Sequence, residues 1–148
     1  MSAAVNALRG VVTESVIELL RDQPFDWAGA NCIRLARAQA AAMGHDVPKV
    51  PNFKTATGAL RALKKQGANS TAELLDQWFE RHPAPAFARV GDLVLLPGED
   101  DDGNREEVMG CICISDGRGN LFGWHGSAPE KLSVIKGASV EALAAWRV

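Results

Sequence analysis

Cys32 is the residue best placed to do chemistry. It follows Asn31, a residue type that caps helices well, and so falls in the first turn of the helix expected there. A helix N-terminus carries partial positive charge and free N–H groups. That setting favours thiolate over thiol and would make the sulfur a nucleophile. The competing reading is a small buried residue, the place of most free cysteines, and position alone favours it. Two more sulfurs lie in Cys111-Ile112-Cys113. Side chains alternate between the faces of a strand, and the spacing is expected to keep these two from pairing. Their single intervening residue is also short of the roughly two to four usual in zinc sites. An odd number of cysteines, so spaced, predicts reduced thiols in a protein made in the cytoplasm.

The other chemistry-bearing residues read more plainly. Glu99-Asp100-Asp101-Asp102-Gly103-Asn104, followed by Glu106-Glu107, lacks the alternating ligands and terminal bidentate Glu of a calcium loop. It is expected to be a solvated tip between two strands. A structural metal site from Cys32, Cys113 and His125 is disfavoured, so no metal and no cofactor are predicted. His45 and His82 sit at helix ends beside Gly and Pro, where polar residues recur without catalytic cause.

The elements that must hold these residues divide into a helical half and a strand half. Val5, Leu8, Val12, Val16, Leu19 and Leu20 recur at helical spacing over about residues 3–21. A second helix is predicted from the Asn31 cap to about Met43, with Gly44 just past its end. A third spans about 55–66 and a fourth about 71–81. After Ala86 the rhythm changes to strands at 92–96, ended by Pro97-Gly98, then 108–114, 120–124 and 131–135. Helices first and strands afterwards predict an α+β domain, N-terminal helices packed on a C-terminal antiparallel sheet. A chain of 148 residues fits one domain, residues 1–148.

Composition excludes some partners. Net charge is −2 with pI about 5.9, and no basic stripe suited to nucleic acid is present. No apolar run approaches the ~20 residues of a membrane span, and the start carries no secretory pattern. Trp146 is third from the last residue given, where chains fray unless docked. It is expected to pack on its own sheet or on a neighbouring subunit, with Trp146, Arg147 and Val148 as the interface.

The order of short motifs adds a resemblance. Phe25-Asp26-Trp27-Ala28-Gly29-Ala30-Asn31-Cys32 resembles the approach to the nucleophile in the NlpC family of papain-like cysteine peptidases. Gly91-Asp92-Leu93, after Ala88-Arg89, resembles that family's next strand start, and Val108 to Ile114 falls where the family has its His-Val-Gly strand. The chain is most similar to small tail proteins of tailed phages with this layout, through Thr55-Ala56-Thr57-Gly58-Ala59-Leu60 and the ending Ala145-Trp146-Arg147-Val148. The resemblance implies an NlpC-like fold and a place in the virion tail, made in the bacterial host cytoplasm. Implied partners are other tail proteins (hub, distal tail, fibre) and peptidoglycan.

One departure governs the functional expectation. A cysteine peptidase needs an imidazole to accept and return the thiol proton. Aligning on Gly110 puts Val108 or Met109 where the family has that His. His125, in Phe122-Gly123-Trp124-His125-Gly126, falls where the family has the polar residue that orients it. One His cannot be both base and orienter, so His125 reads more simply as a turn residue. Two functions follow. In the first the domain is a structural part of a phage tail tip or baseplate hub, with a degenerate peptidase fold used for assembly. In the second it cleaves peptidoglycan during entry, with Cys32 as nucleophile, His125 as base, and Asn31 and nearby N–H groups supporting the oxyanion.

Overall fold

The structure is a computed structural model describing residues 3–100, 102–124 and 131–148. Four helices come first: α1 (Ala3–Leu20), α2 (Cys32–Ala42), α3 (Ala56–Lys65) and α4 (Thr71–Trp78). Five strands follow: β1 (Leu93–Glu99), β2 (Arg105–Ser115), β3 (Asn120–Gly123), β4 (Ser133–Lys136) and β5 (Ala144–Trp146). The strands form one antiparallel sheet in the order β4-β3-β2-β1-β5. The α+β architecture expected from the sequence is what the chain adopts. Among the described residues no helix is long and apolar enough to cross a membrane.

The helices begin where polar side chains can cap them. Asn31, Thr55 and Ser70 are extended and accept hydrogen bonds from the first N–H groups of α2, α3 and α4. Gly44 and Gly67 follow α2 and α3 with φ of 88° and 80°, the left-handed geometry that ends a helix. Ile33, Leu35, Ala36 and Ala40 of α2 and Leu74 and Leu75 of α4 pack on Leu93, Leu95, Ile112, Ile114 and Trp146 of the sheet. The opposite sheet face buries a smaller set: Val94, Leu96, Cys111, Cys113, Leu121 and Ala145.

Three departures from expectation bear on the site. α4 stops at Trp78 rather than Arg81, because Phe79 turns extended. Residues 79–82 then run beside β5: Arg81 bridges Trp146, His82 N–H donates to Ala145 O, and Arg147 N–H donates to Glu80 O. β1 does not end at Pro97-Gly98 but continues to Glu99 through an irregularity. Leu96 pairs with Cys111 and Gly98 with Glu106, so residues 107–110 face Pro97 alone. Proline has no N–H to give the ladder, and the partner strand bulges at that point. The third departure is β5, a three-residue edge strand with no counterpart in the sequence reading.

Candidate functional site

The approach to Cys32 is fixed by its neighbour. Asn31 Oδ1 accepts from Ile33 and Arg34 N–H at 3.1 Å each, and Asn31 Nδ2 donates to the carbonyls of Gly29 (3.1 Å), Trp27 (3.2 Å) and Asp26 (3.4 Å). One amide thus caps α2 and holds residues 26–31 as a turn. Its polar atoms are spent on the backbone, so Asn31 shapes the approach to Cys32 rather than facing a ligand. Cys32 is the first residue of α2, as the sequence predicts.

Cys32 borders a cavity of about 510 Å³, within the usual size of a small-molecule site. Phe25, Trp27 and Trp124 line it, with Phe25 edge-on to Trp27 at 4.9 Å and to Trp124 at 6.2 Å. The far wall is the bulge of β2. Glu106 folds back so that its two carboxylate oxygens accept from Met109 N–H (2.7 Å) and Gly110 N–H (3.0 Å). Gly110 takes φ of 58°, and a Cβ there would stand 2.8 Å from Leu95 Cδ1 and Leu96 O. Glycine permits both the conformation and the close approach. Val108 and Met109 line the same cavity.

The thiol is not activated as its place on the helix suggests. Cys32 is only 4% exposed, and burial pushes its pKa up to about 12, with Cys111 adding to the rise. The N–H groups of Ile112, Cys32 and Ile33 act in the opposite direction and lose. Desolvation penalises the thiolate more than the helix N-terminus favours it. No described histidine lines the cavity. His45 packs edge-on to Phe79 at 5.1 Å, and His82 is engaged elsewhere. His125 lies outside the described residues.

Against this geometry the sequence falls into one family. A family model, described as a domain of unknown function (DUF6950), matches residues 10–148. The chain belongs to the DUF6950 family. No curated protein matches the chain.

One expectation about this DUF6950 domain changes. Cys111 and Cys113 are not kept apart by strand alternation. Successive residues alternate, so residues two apart share a face. Their sulfurs stand 3.8 Å apart on the sheet face away from the helices, both reduced. Cys111 also reaches the cavity and donates its S–H to Trp124 O at 2.9 Å. Of the two placements expected for Trp146, its own sheet is the one the chain adopts. Trp146 is fully buried on its own sheet, its Nε1 donating to Asp76 Oδ1 at 2.8 Å and the Arg81 guanidinium 5.2 Å over its ring. Val148 is buried too, so of the three residues assigned to an interface only Arg147 is exposed.

The acidic stretch behaves as a loop tip. Asp100 Oδ1 accepts from Asp102 and Asn104 N–H, folding the turn between β1 and β2 on itself. Among the described residues no group of three or more His, Cys, Asp and Glu could hold a metal ion.

Sequence reasoning missed the most connected polar group in the DUF6950 domain. Asp92 is fully buried and accepts from Arg9 Nη2 (3.0 Å), Arg89 N–H (2.8 Å), Arg89 Nε (3.1 Å), His82 Nε2 (2.7 Å) and Val148 N–H (2.9 Å). Burial raises its pKa, but the bonds from Arg89, Val148 and His82 outweigh that and hold the carboxyl below its ordinary value. The local Arg89-Val90-Gly91-Asp92 run was a usable signal. Arg9 and His82 gave none, being far away in sequence.

Proposed function

We propose that this domain is a structural component of a phage tail tip or baseplate hub, with an NlpC-like layout whose nucleophile position is silent. The observation that carries the reading is Cys32 itself. Its thiol is buried, its pKa stands near 12, and the cavity positions that would supply the family's base are Val108 and Met109. A thiol that stays protonated cannot attack an amide. The phage placement rests on the motif resemblance, including Ala145-Trp146-Arg147-Val148, and its partners would be the hub, distal tail and fibre proteins of a virion tail assembled in the host cytoplasm. Fold alone does not assign that role.

The test has two parts. A phage carrying this gene should contain the protein in purified particles by mass spectrometry, and the Cys32→Ala phage should remain infectious. Absence from the particle, or loss of infectivity with a folded variant, overturns the reading.

One observation favours the enzymatic alternative. An aromatic-walled cavity of about 510 Å³ adjoins Cys32, and Trp124, which lines it, directly precedes His125. In this reading peptidoglycan stem peptides enter the cavity, Cys32 attacks an amide and His125 carries the proton. Purified protein would then release fragments from peptidoglycan, and both Cys32→Ala and His125→Ala would abolish release while remaining folded.

A further inference from the structure

Neither reading uses Cys111 or Cys113. Their sulfurs are 3.8 Å apart on one face of β2, close enough to share a ligand. Two metal–thiolate bonds of about 2.3 Å span such a separation with a bent angle at the metal. The pair is built in. Gly123 of β3 leaves the room the sulfurs occupy, since a Cβ there would lie 2.5 Å from Cys113 Sγ. Around them Val94, Leu96 and Leu121 form an apolar wall. Cys111 is also one of the residues lining the cavity beside Cys32, so that sulfur is the one an ion meets first.

We propose that Cys111 and Cys113 form a two-thiolate site for a soft monovalent metal ion, Cu(I). The ligand set selects the metal. Thiolate sulfur suits soft ions, and Cu(I) is satisfied by two thiolates. Zinc takes four ligands in a structural site, and among the described residues no third or fourth stands ready. Binding releases two protons, one from each thiol, and leaves a complex of net charge −1 with no change in oxidation state. The Cys111 hydrogen bond to Trp124 O is given up as that sulfur becomes a ligand. Affinity therefore falls as pH falls.

The probe is Cu(I) alone, titrated anaerobically into the full chain against a chromophoric Cu(I) chelator. The expected result is one ion per chain. Cys111→Ala and Cys113→Ala should each weaken binding by on the order of a hundredfold, because each removes one of two thiolates. Cys32→Ala should bind as the unaltered protein does. Circular dichroism establishes that each variant is folded. A second measurement needs no variant: Cu(I) should protect Cys111 and Cys113 from alkylation, read by peptide mass spectrometry, without protecting Cys32. Less than one ion per chain, equal affinity in folded Cys113→Ala, or dependence on Cys32 each overturns the proposal.

Discussion

The sheet carries two polar centres that differ in how their atoms are used. At the start of β1, Asp92 has both carboxylate oxygens bonded to groups from α1, the segment after α4, the turn before β1 and the last residue. At the other centre, beside the bulge of β2, Cys32 is buried without activation and Cys111 and Cys113 face each other as unreacted thiols. The first joins elements that are far apart in the chain. The second leaves about 510 Å³ unfilled next to thiols that stay protonated. Resemblance to a peptidase draws attention to the cysteine, but the charged network with the greater structural demand is the aspartate.

That contrast is open to direct attack. Asp92→Ala should cost most, about 3–5 kcal/mol, because it strands a part-buried Arg9 and a buried His82. Urea unfolding with an unchanged m-value checks it, and a cost near that of Cys32→Ala would erase the distinction. The same residue sets an acid dependence. Its folded-state pKa lies below the unfolded value of about 3.9, so its contribution is complete above that pH and is lost as pH falls through the folded pKa. Asp92→Asn should flatten this limb of the stability curve as pH falls below the ordinary carboxyl range.

The cavity side should respond less, and mainly through backbone. Gly110→Ala forces a side chain into left-handed geometry against Leu95 and Leu96 O, at an expected cost of about 2 kcal/mol by thermal unfolding. Cys32→Ala should cost least, about 1 kcal/mol or less. With the thiol pKa at about 12, on the order of one molecule in ten thousand is thiolate at pH 8. Iodoacetamide should therefore label Cys32 far more slowly than free cysteine. Labelling at the rate of an exposed thiol would return Cys32 to the list of nucleophiles.

Local chemistry was legible in the sequence and distant chemistry was not. Asn31 announced the cap it makes and Gly44 the stop, because each acts within a few residues. The place of Cys32 at the start of α2 followed from the same signals. Its burial was the reading that position alone favoured. β5 was invisible: Ala144-Ala145-Trp146 is too short to show alternation, and its strand character comes from pairing with Leu93, Val94 and Leu95. Alternation, applied one residue out, wrongly separated Cys111 from Cys113. The Asp92 network escaped because its members Arg9, His82 and Val148 are joined only by the finished fold.

Arg9 Nη1 also donates to Val148 O at 2.7 Å, across 139 positions of chain. Closing a loop of that length costs entropy before any reward arrives. High separation between touching residues slows folding. As the chain leaves the ribosome, α1 emerges first and must wait for almost everything after it before Arg9 meets its final partners. The latch at the Asp92 end therefore closes only once residue 148 has joined the fold, and a chain truncated just short of residue 146 would lack the strand and carbonyl that fasten α1.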